Sequence, residues 1–476
     1  MILSALVLIP LGAAAGAVAH REERHRTAWL LAAVALHAGL VAWMWMDRPA
    51  PELGDWLALD DLGLLVLTLI SGLCVAVSIY VVGYLAEENP RGGRAFVSFL
   101  LVFLAAASLV AISAHLGLFW VGMEATTFSL APLIYHRHDR ASLDAVWTYL
   151  LLSSVGIALA LLGTFFLAAA QGPDAGRALL LPDLIAAGPS LQGALLRAAF
   201  VFLFVGYGTK MGIAPLHGWK PATYGEAPPL VGALLAGGLT SCAFLGIARV
   251  FRVASAAGLA DTFRPILIGF GLLSLVTASV FMLRQQNVKR LLAYSSVEHM
   301  GLLLLGLGLG GVATWGAVLH LLANGLAKGV AFLAVGNVAL AVGSADAERW
   351  HGVLRHMPRS GTLILVALLA LAGMPPSALF LSEFAILTGA IASGHVWVAA
   401  TTVMALAVAF AAVMRLILET LHGDPPAPMT HRLDRGWLFA APLALAIAVV
   451  ALGLAWPGQL ATVLAGAAIA LGGRIP

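Results

Sequence analysis

The sequence predicts an all-α, polytopic membrane protein with about fourteen transmembrane helices, arranged as two inverted repeats that each contain a broken helix. Three observations lead there. Of 476 residues, 61% are hydrophobic and 10% charged, with a mean hydropathy of +0.97; a soluble domain has about 25% charged and 45–50% apolar residues. Apolar runs long enough to cross a bilayer follow one another with short loops between them. Helix-breaking residues stand beside intramembrane charges at two places. This composition excludes an ordinary soluble enzyme, a disordered chain and a nucleic-acid-binding protein. Cys74 and Cys242 are too few for a cysteine-ligated cluster or a disulfide framework and read as small buried thiols.

A spanning helix needs about 20 mostly apolar residues. Such runs occupy 1–19, 27–46, 59–86, 94–113, 115–135, 142–170, 195–217, 228–251, 264–283, 290–310, 313–343, 361–390, 393–420 and 436–456, and 458–474 is a candidate fifteenth. The first run is read as a retained helix rather than a signal peptide, because the next begins seven residues later. Loop cations set the orientation. With the N-terminus outside, the inside loops hold Arg21, Arg24, Arg26, Arg91, Arg94, Arg137, Arg140, Lys220, Arg284, Lys289, Arg290, Arg349, Arg355, Arg359, Arg415, Arg432 and Arg435. The outside segments hold only Arg48, Arg177, Arg197, Arg249, Arg252 and Arg264. An N-terminus outside is therefore expected. The chain divides into N-terminal helices (1–93), a first repeat (94–254), a second repeat (264–420) and C-terminal helices (421–476).

Glu124, Lys210, Glu298, His299, His320, Lys328 and Glu383 remain inside apolar runs. Each charge at the bilayer centre costs about 2.5–3.5 kcal/mol on insertion scales, so such residues face the protein interior or water and are functional by default. The bland alternatives are a structural ion pair for Glu124, snorkelling for Lys210 and an interhelical hydrogen-bond seam for the next group. His320, Asn324 and Lys328 are spaced i, i+4, i+8 and share one helix face. Glu298 and His299 are neighbours and point in different directions. Pro215 follows Lys210, and Pro375-Pro376 precedes Glu383. Proline removes backbone donors and breaks a helix, and paired breaks in two halves point to inverted repeats around a transport path. Buried carboxylates, amines and imidazoles whose neighbours shift can hold or release protons, so an ion transporter, most simply for protons, is expected.

The same residues carry a family resemblance. GLFWVGMEATTFSLAPLIY (117–135), with Glu124, resembles the fifth-helix motif of the antiporter-like membrane subunits shared by respiratory complex I, multisubunit sodium/proton antiporters and membrane-bound hydrogenases. GYGTKMGIAPLHGWKPATYGEAPPLVGALL (206–235) resembles their broken seventh helix, with its lysine at Lys210. KRLLAYSSVEHMG (289–301) is very similar to a family signature. HLLANGLAKGVAFLAVGN (320–337) resembles the His-rich helix ending in Lys328. GMPPSALFLSEFAIL (373–387) resembles the second broken helix, with Glu383, and Asp60 fits the third-helix pattern. The likeness covers roughly 55–425. The wording EATTFS and SSVEHMG is most similar to component F of hydrogenase-4 and related formate hydrogenlyase complexes. Against the family pattern, Thr148 stands where a lysine is frequent, Asn324 replaces a histidine, Asn287 an aspartate, and Trp219-Lys220-Pro221-Ala222-Thr223 a W-L-P-D-A run.

The resemblance implies a non-catalytic, proton-translocating subunit of a membrane-bound oxidoreductase in a bacterial inner membrane. Its partners would be other membrane and peripheral subunits, the lipid bilayer, and protons or sodium, with no nucleic acid. Glu124 would modulate Lys210, the central carrier of the first repeat. Lys328, with His320 and Asn324, would link to the second, beside Glu298 and His299, and Glu383 would be the terminal exchanging group. Other readings are a sodium/proton antiporter subunit, an energy-coupling subunit for inorganic-carbon uptake, and a scaffold that has lost conduction. No cofactor or metal is expected. The glycines at 306–311 lie in a membrane helix with no preceding strand, and His136-Arg137-His138-Asp139 reads as a solvated turn.

Overall fold

A computed structural model describes residues 1–87, 93–172, 179–423, 434 and 436–475. Arg91, Arg177, Arg432 and Arg435 lie outside the described residues. Among the described residues, thirteen helices are long and apolar enough to cross a membrane. They are α1 (Ile2–Ala19), α2 (Glu23–Met44), α3 (Asp61–Glu87), α4 (Gly93–Ile112), α5 (Leu116–Ile134), α6 (Arg140–Ala169), α7 (Gly193–Met211), α9 (Pro229–Ala256), α10 (Ala260–Met282), α11 (Val288–Leu309), α12 (Gly311–Val342), α15 (Val396–Leu421) and α16 (Trp437–Leu454). A short helix, α8 (Trp219–Glu226), follows α7.

The run 361–390 forms two half-helices, α13 (Pro358–Leu371) and α14 (Ala378–Ala392), around Pro375-Pro376. Each is roughly 21–23 Å long at 1.5 Å per residue, so the pair makes one further crossing. The candidate fifteenth span does not cross. Helix α17 (Gly458–Ala470) has 13 residues, about 20 Å against a hydrocarbon core near 30 Å. Trp456, just before it, packs on Trp315 with ring centroids 5.3 Å apart. Past its other end, the Arg474 N–H donates to Gly311 O (2.9 Å). Both contacts lie where α12 begins, so α17 rests on one end of the bundle.

The central helices α9, α11 and α12 are buried over most of their length, the polar residues of α11 and α12 included. Lipid offers no hydrophobic drive between helices, so close packing decides which pairs meet. A Cβ at Gly206 of α7 would lie 2.6 Å from Gly156 O of α6, and one at Gly301 of α11 would lie 2.7 Å from Gly271 O of α10. Only glycine allows either approach.

Three cations read as loop charges are not loop charges. Lys220, Lys289 and Arg249 are all buried. The Lys289 ammonium donates to Ala227 O (3.1 Å). Arg249 is bonded to Asp60 (3.0 Å) and to the carbonyls of Ala111 and Ser113. Lys220 and Lys289 fold inward beside the break after α7, and Arg249 lies within α9; removing the three leaves the loop imbalance with the same sign.

Candidate functional site

The first cluster forms where α7 stops. Lys210 is its penultimate residue, and Gly212 (φ +69°) closes it in the left-handed region, its N–H bonded to Gly208 O and Thr209 O. The Lys210 ammonium thus lies at a helix C-terminus, where unpaired carbonyls favour a cation. It is fully buried and donates to Thr127 Oγ1 on α5. Thr127 in turn lies 3.2 Å from Glu124 Oε2, one turn earlier on the same helix. The ammonium also sits 5.8 Å from the centroid of the Tyr149 ring, within cation–π range. Trp219 braces the break by donating to Thr209 O (2.8 Å), and the Ala214 N–H donates to Ser274 Oγ on α10 (2.9 Å). Glu124 is only half-buried, beside the exposed Val121 and Phe128.

The second cluster joins α11, α12 and α14. Lys328, fully buried, donates to Leu292 O on α11 (3.1 Å). Two turns back on α12, His320 Nε2 meets His299 Nδ1 (3.0 Å), and His320 Nδ1 meets Ser382 Oγ on α14 (2.8 Å). A Cβ at Gly316 would lie 2.8 Å from Ser382 O, so this glycine lets α14 approach. Glu383 follows Ser382, and its carboxylate lies against Gly373 (φ +68°) in the break. Glu298 is buried on α11, within electrostatic reach of Lys328 and Glu383. Asn324 is buried, one turn from both His320 and Lys328.

The eight candidate residues therefore form two groups. Glu124 and Lys210 make the first; Glu298, His299, His320, Asn324, Lys328 and Glu383 make the second. The stripe on α12 faces α11, as its spacing predicts. His299 turns to His320 while Glu298 turns elsewhere, as neighbours 100° apart on a helix must. Among the described residues, the ligating atoms of His299, His320 and Glu383 lie within 4.8 Å of one another, which suits a divalent transition metal chemically. Both nitrogens of His320 are already engaged, by His299 and Ser382.

Thr148 bonds its own helix, to Asp144 O (2.8 Å), and does not join either group; its neighbour Tyr149 faces Lys210 instead. Asn287 caps α11, accepting from the Arg290 N–H (3.1 Å). Asp139 caps α6 by accepting from the Ser142 N–H (2.7 Å), as a solvated turn would. That bond, with a further one from the Ser142 side, holds the Asp139 carboxyl below its ordinary range. Sequence reasoning missed the inward placement of Lys220. Its only signal was the departure from the family's W-L-P-D-A run.

Residues 113–409 match the family described as NADH:quinone oxidoreductase/Mrp antiporter, TM. The hydrogenase-4 component F homolog of Methylacidiphilum infernorum is 31% identical over 78% of this chain and 80% of its own length. NADH-quinone oxidoreductase subunit N of Desulforudis audaxviator is 32% identical over 85% and 83%. A chain of the membrane-bound sulfane sulfur reductase, an archaeal respiratory membrane complex, superposes with a TM-score of 0.89 at 20% identity, over 99% of this chain and 98% of that one. Proteins of this shape are parts of multisubunit membrane complexes. With the family match over more than half its length, this chain belongs to the NADH:quinone oxidoreductase/Mrp antiporter family of antiporter-like membrane subunits.

Proposed function

We propose that this chain is a proton-translocating subunit of a membrane-bound oxidoreductase complex, of the hydrogenase-4, formate hydrogenlyase or complex I kind. One observation carries the reading. Lys210 and Lys328 are both fully buried, and each is held by a neutral oxygen, Thr127 Oγ1 or Leu292 O, with no carboxylate among the described residues in ion-pair contact. An amine held this way gives up or takes a proton without breaking an ion pair, while Glu124 and Glu298 stand close enough to bias each lysine. In this reading Lys210 carries the proton in the first repeat (94–254), and Lys328 passes it into the second (264–420). His299, His320 and Asn324 continue the line, and Glu383 exchanges it at the far break.

The donor set favours protons over sodium. Na⁺ prefers several oxygen ligands, whereas the first cluster pairs a single carboxylate with an amine and the second sets an amine and two imidazoles among its carboxylates. Moving one charge against 100 mV costs about 2.3 kcal/mol, so the energy must come from partner subunits. The membrane is a bacterial inner membrane, with the N-terminus outside and the cation-rich loops in the cytoplasm.

The test is proton uptake by energised membrane vesicles carrying the whole complex, comparing the native chain with Lys210→Ala. Pumping per electron transferred is expected to fall by about tenfold or more, the scale of losing a positioned proton-transfer group. Unchanged pumping with normal assembly would overturn the reading in favour of a scaffold.

A further inference from the structure

One buried side chain runs from the break after α7, beside the first cluster, to α11, which carries part of the second. Lys220, the second residue of α8, is fully buried. Its aliphatic stem covers Gly212, two residues beyond Lys210, so closely that a Cβ there would overlap the stem. Its ammonium reaches α11 and donates to Ser296 Oγ (3.0 Å). Ser296 is one helical turn from Leu292, whose carbonyl accepts from Lys328 (3.1 Å). Lys220 therefore begins beside the end of the Lys210 helix and ends on the turn of α11 that holds Lys328. The charged and titratable groups within its electrostatic reach are Lys328 on α12, His299 on α11 and His217 in the break itself.

The second break offers a parallel. There too the left-handed glycine, Gly373, is covered by a titratable side chain from the following half-helix, Glu383. Lys220 holds the matching place in the first break. A bland role as a structural cation would call for a carboxylate in contact, and among the described residues Lys220 has none; its bond is to a neutral hydroxyl that can both donate and accept.

We infer that Lys220 is the relay between the two clusters, taking a proton from the Lys210 side and passing it to the Lys328 side. In each cycle the neutral Lys220 amine gains one proton as the Lys210 ammonium loses it, then returns to the amine as the Lys328 amine becomes the ammonium. No net charge is left on Lys220. The inference rests on the proton-translocating reading above.

The experiment uses vesicles carrying the whole complex, energised with NADH, formate or hydrogen. Proton uptake is read by acridine-dye quenching and expressed per electron transferred, for Lys220→Leu, Lys220→Arg and Lys220→His beside Lys210→Ala. Arginine keeps the charge and hydrogen-bonding capacity but does not deprotonate, so a structural cation survives this change and a relay does not. Lys220→Leu and Lys220→Arg are expected to lose about tenfold or more of the pumping ratio, and Lys220→His, still titratable, to recover part of it. If Lys220→Leu fails to assemble, Ser296→Ala, which removes the hydroxyl that accepts from Lys220, is expected to lower the ratio severalfold. The relay is overturned if Lys220→Arg, or Ser296→Ala in the fallback case, pumps like the native chain while Lys210→Ala does not. If Lys210→Ala also pumps normally, it is the proton reading that fails.

Discussion

The two broken helices use one backbone device for opposite chemistry. Before the first break, Lys210 ends a half-helix, where the carbonyl end of the helix favours a cation. After the second, Glu383 lies in the second turn of a half-helix that begins at Ser377, on the side where free N–H groups gather. In each break a glycine in the left-handed region turns the chain, and a charged side chain from the next segment covers it: Lys220 over Gly212, Glu383 over Gly373. The comparison teaches that the repeated element is the break and its covered glycine, while the sign of the charge is chosen separately in each half.

The halves are also anchored differently to α3. The first is tied at its end by a part-buried ion pair, the buried Arg249 with Asp60, supported by Arg252 (3.1 Å). The second is tied by neutral groups: Asn337 accepts from Tyr80 of α3 (2.9 Å) and donates to Ser360 and Leu438 O. The largest stability contrast follows from this. Asp60→Ala strands Arg249 without its counter-charge and is expected to cost about 3–5 kcal/mol. Asn337→Ala, which strands only neutral partners, should cost about 1–3 kcal/mol. Denaturant midpoints of the purified complex, compared between the two variants, check the order; equal losses would erase the distinction between ionic and neutral anchoring.

The glycines come next. Gly212→Ala and Gly373→Ala each place a Cβ in a left-handed conformation and against the covering side chain, and each is expected to cost about 1–3 kcal/mol. Both should lower proton pumping as well, because the displaced groups are Lys220 and Glu383. Pumping and thermal unfolding measured on both variants sharpen the parallel. A loss confined to Gly373→Ala would break it and leave Gly212 a simple helix cap.

The smallest effect is expected at α6, the helix that presents Tyr149 to Lys210. Asp139→Ala removes its N-cap and should cost about 1 kcal/mol. Because the folded carboxyl is held below its ordinary value, its contribution is complete above roughly pH 4 and is lost as pH falls through the lower folded value. Melting curves of native and Asp139→Ala complexes should therefore converge on acidification; a gap that widens toward low pH would refute the capping role.

Much of the fold was legible because membrane insertion depends on local composition. Thirteen of the fourteen apolar runs became helices long and apolar enough to cross a membrane, the other became α13 and α14, and Pro375-Pro376 marked the break between them. The candidate fifteenth run was ambiguous because 13 helical residues are apolar enough for a span but too short to make one. At the site, the stripe of His320, Asn324 and Lys328 was visible from helical spacing alone. The inward turn of Lys220, Lys289 and Arg249 was not, since a cation beside a short loop looks the same whether it meets water or folds back under a break. Thr148, which stands where the family pattern often has a lysine, turns its hydroxyl back onto its own helix at Asp144 O, a contact no motif could show.

The sequence by itself determined that this chain crosses the membrane, where its helices break, and which charges stand in the apolar runs, because transfer energy and proline or glycine geometry are properties of short segments. The tertiary structure decided which of those charges meet, and that Lys220 runs from Gly212, two residues past Lys210, to Ser296 on the helix that holds Lys328. Those contacts join residues tens to more than a hundred positions apart, and only the packing of whole helices sets their distances.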